Sequence, residues 1–295
     1  MSTPEGGNWP AVPPVPGPGP APGPARAGWR AALPFVLAAI TVVTTTLAGG
    51  PRYALCLMAF FLAHEMGHYV ACRVHGVDST LPHFIPAPPQ FFIGTFGAVI
   101  RIRSRIPSRR ALFDIGIAGP LAGFALVVPV LLLSAFEARP AQPEDLLGGL
   151  IFGDSLMSRA VFAWIRDAAV YGEDFVAGPL FQAAWVGMLA TAMNLIPAGQ
   201  FDGGHIAYAL APRWHKVISL TSAAFLVTLV VFSWILQHQV SVWTAWAVVV
   251  LVFGRRHPYV PEPGEHLGAA RWALAIVALL VLLLCFMPYP IFQTL

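Results

Sequence analysis

Two histidines and a glutamate stand together in an apolar stretch of the sequence, at His64-Glu65-Met66-Gly67-His68. On a helix, residues four apart lie on one face, so the two imidazoles can hold one metal ion. Glu65 lies beside them and can act as general base for a water activated by that metal. Ionisable side chains are costly inside a membrane segment and are usually functional there. The pattern therefore predicts half of a metal-dependent hydrolytic site.

A catalytic zinc site needs a third protein ligand and an open position for water. Two carboxylates, Asp114 and Asp202, could reach the depth of the histidines. Asp202 follows a stretch in which Pro197 and several glycines break the helix, and unwound backbone at membrane depth is tolerated where it is buried in protein or lines a cavity. Gly203 and Gly204 allow close backbone approach. We favour Asp202 as the third ligand and keep Asp114 as the alternative.

The composition is that of an integral membrane protein. The chain has 295 residues, of which 57% are hydrophobic and 11% charged, whereas soluble domains carry about 25% charged residues. The formal net charge of +3 is small. Because the arginines cluster at the ends of apolar segments, they are typical of topology signals, and we expect no nucleic-acid partner.

Seven apolar segments are expected to cross the membrane as helices, which predicts an all-α polytopic fold. Their approximate positions are 31–49, 53–73, 111–136, 180–196, 217–236, 240–254 and 272–287. The short segment 240–254 is the one whose full crossing is least supported by its length. Residues 1–25 are rich in proline and glycine and are expected to form a disordered tail. Residues 26–295 are expected to form a single membrane domain.

The loops between these segments carry two further predictions. After the second segment, Ile100, Ile102 and Ile106 alternate with arginines, and this period-two pattern predicts a small β segment at the membrane surface. The acidic loop 137–179 is expected to lie outside the membrane, with an interfacial helix around 156–165.

Charged residues predict the orientation of the chain. Lysine and arginine favour the cytoplasmic side of short loops, so the N-terminus and the basic loop 74–110 are expected inside, and the acidic loop 137–179 and the C-terminus outside. His68 would then lie roughly 8 Å and His64 roughly 14 Å below the cytoplasmic boundary. The fourth segment ends on the same side, near Asn194. Two polar clusters from opposite halves of the chain thus converge at one depth.

These two clusters resemble the site-2 protease family of intramembrane zinc metalloproteases (peptidase family M50), in the branch without a PDZ domain. The resemblance rests on His64-Glu65-Met66-Gly67-His68 and on Asn194-Leu195-Ile196-Pro197-Ala198-Gly199-Gln200-Phe201-Asp202-Gly203. Gly94-Thr95-Phe96-Gly97 and Gly119-Pro120-Leu121-Ala122-Gly123 are also similar to that branch. The similar region covers roughly residues 52–210, which we expect to be the catalytic core.

The resemblance implies a ligand set and a division of roles. One zinc ion per chain would be held by His64, His68 and Asp202. Glu65 would be the catalytic base, and Asn194 would position the substrate backbone or stabilise the oxyanion. A further four residues would contact the substrate: Gly94, Thr95, Phe96 and Gly97.

The predicted function is therefore that of an intramembrane zinc metalloprotease that cleaves membrane-spanning substrates. We expect it in a bacterial inner membrane, with its active site near the cytoplasmic side and with lipid and transmembrane proteins as partners. An ion-coupled transporter that uses the His/Glu cluster as a relay is the main alternative. A homologue that binds membrane proteins without cleaving them is a third possibility, against which the complete set of catalytic residues argues. Other histidines near segment ends, among them His75 and His215, are expected to be interfacial or solvated.

Overall fold

A computed structural model of the chain describes residues 24–88, 91–140, 150–165, 175–176, 178–237, 241–253, 260 and 266–293. The expected disordered tail, residues 1–25, lies outside these ranges except for its last two residues. The helices are α1 (Pro24–Val74), α2 (Arg109–Glu137), α3 (Leu156–Ile165), α4 (Pro179–Leu195), α5 (Asp202–Leu210), α6 (His215–Gln237), α7 (Val242–Phe253) and α8 (Ala269–Cys285). The strands are β1 (His83–Pro86), β2 (Thr95–Val99), β3 (Arg139–Pro140), β4 (Leu150–Phe152), β5 (Phe175–Val176) and β6 (Ile291–Gln293).

Helix α1 contains the first two expected membrane segments and is interrupted between them at Gly50. The backbone there has φ 84° and ψ 173°, a conformation that glycine adopts without steric cost. Pro51 follows, where the absence of an N–H is tolerated at the start of a helix. Thr44 before the break and Tyr53 after it donate hydrogen bonds to neighbouring carbonyls of residues 94 and 93, at 2.7 and 2.9 Å. The first two expected segments are therefore separated by a break within one long helical element.

Three of the described helical stretches are long and apolar enough to cross a membrane: Ala31–Val74, Arg109–Glu137 and His215–Leu236. Helices α3, α7 and α8 are apolar but shorter, and α4 has 17 residues. The protein is thus a mostly helical membrane protein, as expected. The number of seven crossings stays a prediction.

The predicted β segment after the second apolar segment is confirmed, but its regular pairing ends before the arginines. Strands β1 and β2 form a two-stranded antiparallel sheet in which His83 pairs with Val99 and Phe84 with Ala98. Beyond Val99 the pairing continues only as an isolated bridge between Ser79 and Ile102. Around this bridge, the Arg101 carbonyl accepts from the Thr80 N–H and the Arg103 N–H donates to the Asp78 carbonyl, so the start of the arginine-rich stretch extends the sheet irregularly.

Short strands also join distant parts of the chain whose pairing no sequence pattern predicts. Strand β3 pairs with β5, and β4 pairs with β6, both antiparallel. The second pair brings the end of the chain onto the loop between α2 and α3. Helix α3 occupies the position of the predicted interfacial helix, Leu156–Ile165.

Helix α2 lies at the centre of the part of the fold that forms the site. It packs against α1, α4 and α5, and its buried residues include Leu112 and Phe113 in the main hydrophobic core. Trp185 of α4 is fully buried in the same core, and its indole N–H donates to the carbonyl of Gly153 at 2.8 Å. Site residues on α1 and α5 are therefore held against one rigid helix.

Candidate metal centre

Three side chains with metal-binding atoms meet at the junction of α1 and α5. His64 and His68 lie one turn apart on α1, and Asp202 is the first residue of α5. The Nε2 atoms of His64 and His68 are 3.2 Å apart. Asp202 places Oδ2 3.2 Å from His64 Nε2 and Oδ1 3.3 Å from His68 Nε2. The two imidazoles are buried, with 3% and 7% of their residue surface exposed.

The distances between these atoms fit a shared metal ion. Ligand atoms about 2.0 Å from a tetrahedral zinc ion lie about 3.3 Å from one another. The observed separations of 3.2 to 3.3 Å are close to that value. Two imidazole nitrogens and one carboxylate oxygen are also a donor set that zinc accepts while keeping a fourth position open. The cluster can therefore hold a zinc ion in the arrangement that hydrolytic catalysis needs.

The backbone of α2 fixes the orientation of one imidazole. His68 Nδ1 lies 2.7 Å from the carbonyl oxygen of Ile115. Because a carbonyl only accepts, Nδ1 carries the hydrogen, and the lone pair of Nε2 is directed at the centre of the cluster. By contrast, His64 Nδ1 is buried without a hydrogen-bond partner among the described residues. His64 is positioned by its neighbours instead, including the ring of Phe60 at 6.1 Å between centroids.

The two predicted catalytic residues lie near this cluster: Glu65 follows His64 in the sequence, and Asn194 contacts His64. Glu65 is 6% exposed, and its Oε2 accepts a 2.9 Å hydrogen bond from the backbone N–H of Ile100, just past the end of β2. Asn194, in the last turn of α4, places its side-chain amide 3.5 Å from His64 Nε2. Helices α1 and α4 thus bring a carboxylate and an amide to the metal centre.

Glycines on α2 make room for the site. A Cβ atom on Gly119 would lie 2.1 Å from His68 Nε2, and one on Gly123 would lie 3.3 Å from His64 Cβ. A Cβ on Gly116 would lie 3.2 Å from the carbonyl oxygen of Asp202. The glycine-lined face of α2 therefore touches all three candidate ligands, and a side chain at these positions would enter the site.

Asp114, the alternative third ligand, forms an ion pair with Arg271. Its carboxylate accepts hydrogen bonds from Arg271 of α8, at 2.8 Å from Nε and 2.6 Å from Nη2. His75, at the end of α1, places Nε2 2.9 Å from the same carboxylate. His75 is thus part of an ion-paired network at the end of α1, and its side chain is half-buried. The geometry favours Asp202 over Asp114 as the partner of the histidines.

The predicted substrate-contact stretch, residues 94–97, lies just before Ile100, whose N–H binds Glu65. Gly94 and Gly97 have positive φ angles of 75° and 99°, which favour glycine. The hydroxyl of Thr95 donates to the carbonyl of Ile85 at 2.8 Å and so ties the start of β2 to β1. Phe96 is 55% exposed. Among the described residues, β2 pairs with β1 on one edge and with no strand on the other.

The unwound backbone predicted before Asp202 is present between α4 and α5. Helix α4 ends at Leu195, and Gly199 has φ 51°. A Cβ on Gly203 would lie 2.1 Å from the carbonyl oxygen of Leu195, and one on Gly204 would lie 2.4 Å from that of Ala198. The loop therefore folds tightly over the first turn of α5, which only glycine permits.

Sequence reasoning missed several contributors to the site. The carbonyl of Ile115 and the N–H of Ile100 are backbone groups, and no residue type signals their role. His215 is 4% exposed and contacts the loop before Asp202, so of the two expected surroundings, interfacial or solvated, the solvated one is wrong. A signal for it was available, because His215, Ser219 and Ser222 recur at helical spacing in an apolar segment.

Proteins of known families resemble this chain over most of its length. The family model described as Peptidase family M50 matches residues 52–236. "Probable zinc metalloprotease EGY2, chloroplastic" from Oryza sativa subsp. indica is 33% identical over 252 residues, which cover 83% of this chain and 44% of that protein. The protein of the same name from Arabidopsis thaliana is 31% identical over 234 residues, covering 77% and 40%.

A second named group of relatives is similar to the same extent. "Probable zinc metalloprotease EGY1, chloroplastic" from Arabidopsis thaliana is 30% identical over 243 residues, which cover 79% of this chain and 42% of that protein. The chain therefore spans less than half the length of these relatives.

Proposed function

Because the chain belongs to peptidase family M50, we propose that it is an intramembrane zinc metalloprotease that cleaves peptide bonds of membrane-spanning proteins. One observation carries the proposal: the Nε2 atoms of His64 and His68 lie 3.2 Å apart in a buried site, and each has a carboxylate oxygen of Asp202 3.2 to 3.3 Å away. The zinc metalloprotease names of its relatives support zinc as the metal. No observation favours the transporter alternative.

One zinc ion per chain is proposed to bind these three side chains. When bound, it supplies Lewis acidity to an attacking water and to the carbonyl of the scissile peptide bond. His68 is prepared for this role by the Ile115 carbonyl, which holds its hydrogen on Nδ1 and leaves Nε2 free. Partners of this kind raise metal affinity about 10- to 100-fold in other proteins.

Glu65 is the proposed general base. It takes a proton from the attacking water and delivers it to the leaving amine of the cut peptide bond. The Ile100 N–H binds one carboxylate oxygen of Glu65 at 2.9 Å, which fixes the carboxylate plane and leaves the other oxygen for proton transfer. Asn194 is proposed to donate its amide hydrogen to the substrate backbone or to the oxyanion, from its position beside His64.

The substrate is proposed to bind as an extended strand along Gly94, Thr95, Phe96 and Gly97. A helical peptide shields its carbonyls in its own hydrogen bonds, so it must unwind before it can be cut. The second edge of β2 offers backbone groups that a peptide can pair with. Because β2 leads to Ile100, which holds Glu65, a peptide paired there would lie next to the general base.

Seven membrane crossings are proposed. The support comes from contacts between loops, because two loops that touch must lie on the same side of the membrane. The stretch Ala31–Val74 has 44 residues, about 66 Å of helix, which is about twice the hydrocarbon thickness of a bilayer. Two crossings separated at Gly50 would place Arg52 on the outer side, where it pairs with Glu137 at the end of α2. The pairing of β4 with β6 likewise requires an even number of crossings between them, which α4, α6, α7 and α8 would supply.

Contacts at the other face support the same topology. His75, Asp114 and Arg271 meet at the ends of α1, α2 and α8. Arg110 donates two hydrogen bonds to the carbonyl of His266, just before α8, at 2.8 and 3.2 Å. This basic face is proposed to be cytoplasmic by the distribution of arginines. A bacterial inner membrane as location stays a prediction, since the relatives above are named as chloroplastic.

The function can be tested with purified protein in liposomes that contain a model single-span substrate with glycines near its centre. We expect the native chain to cut the substrate and a zinc chelator to stop the reaction. The Glu65→Gln variant should keep its zinc and lose activity by about 10²- to 10⁴-fold. Cleavage by Glu65→Gln at the native rate would contradict the assigned role of Glu65. A native chain that binds zinc and does not cut would contradict the proposed activity.

A further inference from the structure

We propose that His215 and Ser219, with Ser222 in support, are positioning residues that fix the loop before Asp202 and thereby the geometry of the metal centre. The inference rests on the proposed role of Asp202 as a zinc ligand. Helix α6, which carries these three residues, contributes no side chain to the cluster itself. Its role would be to determine where the third ligand stands.

The three side chains form a polar stripe on one face of α6. They are spaced by four and three residues, which places them above one another on a helix. His215 Nε2 lies 3.2 Å from the carbonyl oxygen of Gly199, to which it donates. The Ser219 hydroxyl oxygen accepts from the N–H of Gly199 at 3.1 Å. The Ser222 hydroxyl lies 3.3 Å from the carbonyl oxygen of Pro197. All three side chains therefore contact the backbone of residues 197–199.

These contacts provide hydrogen-bond partners for backbone groups that the unwound loop leaves without helical partners. Backbone groups that leave a helix at membrane depth have no water to bind, so protein groups must satisfy them. Both polar groups of the Gly199 backbone are satisfied by α6 alone, through His215 and Ser219. Gly199 has φ 51°, so a specific and unusual backbone conformation is being held. Both partners are buried, at 4% exposure each.

His215 contacts the chain on both sides of Asp202. Its hydrogen bond to the Gly199 carbonyl lies three residues before Asp202. The ring also packs edge-on against Tyr208 of α5, at 5.4 Å between centroids. One imidazole thus ties the loop and the helix that flank the third ligand to α6.

A small displacement at this point is sufficient to disturb the metal. Metal–ligand distances are maintained within about 0.2 Å. The loop is packed so closely on α5 that a Cβ on Gly203 would overlap the Leu195 carbonyl. It therefore has little freedom to shift without moving Asp202. Loss of the α6 contacts should be transmitted to the Asp202 carboxylate.

Other hydroxyls on α6 provide matched controls. Thr221 and Thr228 donate to carbonyls of their own helix, those of Ile218 and Ala224, at 2.8 and 3.0 Å. Both threonines are exposed, and the hydrogen bonds described for their hydroxyls stay within α6. Ser222 is intermediate, since it also donates to Ile218 within its helix at 3.0 Å. The sharpest comparison is therefore Ser219→Ala against Thr228→Ala.

The experiment measures zinc affinity by chelator competition and the visible absorption spectrum of the cobalt-substituted full chain. We expect Ser219→Ala and His215→Ala to weaken zinc binding about 10- to 100-fold. The cobalt spectrum, which reports ligand geometry, should shift in both variants. Thr228→Ala should match the native chain in affinity and spectrum. His215→Gln, whose amide can still donate to the Gly199 carbonyl, should recover most of the affinity that His215→Ala loses.

The outcomes separate this inference from the proposed function. Native zinc affinity and an unchanged cobalt spectrum in Ser219→Ala and His215→Ala would overturn the positioning role and leave the protease assignment intact. Equal losses in His215→Gln and His215→Ala would also overturn it. If His215→Ala fails to fold, Ser219→Ala decides the question, because it removes a single hydroxyl. Absence of zinc from the native chain would instead overturn the proposed function.

Discussion

The close contact between Gly119 and His68 leads to a prediction for the Gly119→Ala variant. A Cβ atom at position 119 would lie 2.1 Å from His68 Nε2 and 2.5 Å from two further atoms of the imidazole ring. Ordinary contact with a Cβ begins at 3.4 Å, so Nε2 would have to move by about 1.3 Å. That displacement is several times the tolerance of about 0.2 Å for a metal–ligand distance.

The imidazole has little room to absorb this shift. His68 is 7% exposed, and its Nδ1 is fixed to the Ile115 carbonyl at 2.7 Å. Moving the ring would break that hydrogen bond or remove Nε2 from the cluster. We therefore expect the zinc affinity of Gly119→Ala to fall by more than about 100-fold. Alanine is preferred to glycine in a helix by about 1 kcal/mol, so α2 itself should not be weakened.

Zinc content of the purified variant, measured by mass spectrometry beside its thermal unfolding, tests this reasoning. The matched control is Gly178→Ala, since a Cβ at that position meets nothing within 4 Å and the backbone there has φ −72°. The control should retain one zinc ion per chain. A folded Gly119→Ala variant with native zinc affinity would refute the proposed contact between α2 and the metal centre.

Two further variants address helix packing and catalysis. Gly67→Ala should lower the thermal stability of the protein, because its Cβ would lie 2.4 Å from the backbone oxygen of Ala118 and force α1 away from α2; an unchanged unfolding temperature would contradict this packing. Glu65→Gln should unfold at the native temperature or above it and keep its zinc while losing turnover, since only the proton-transfer group is removed; loss of the metal from this variant would assign Glu65 a ligand role instead.

Much of the site could be predicted because its chemistry depends on residue type and local spacing. His64 and His68 lie on one face of any helix that contains them, and Glu65 lies beside them. The preference for Asp202 over Asp114 came from helix-breaking residues before Asp202, which predicted an unwound stretch. The structure contains that stretch, and it shows Asp114 paired with Arg271.

The remainder depends on contacts that no local pattern specifies. Ile115 and Ile100 act through backbone atoms, so any residue type could occupy their positions. Strands β4 and β6 have three residues each, which is too short for an alternating apolar and polar pattern to be recognised. Their pairing also joins positions about 140 residues apart. His215 stands near the end of an apolar segment, where contact with solvent is the ordinary expectation, whereas its partner is a loop contributed by another part of the chain.

Zinc stoichiometry of Asp202→Ala beside Asp114→Ala tests the central claim most directly. Both variants remove one carboxylate from the described structure, and only Asp202 lies within 3.3 Å of the two histidines. We predict that Asp202→Ala loses its zinc, whereas Asp114→Ala retains one zinc ion per chain even if its thermal stability falls. Full zinc occupancy in Asp202→Ala, or loss of zinc only in Asp114→Ala, would contradict the assignment of the metal centre.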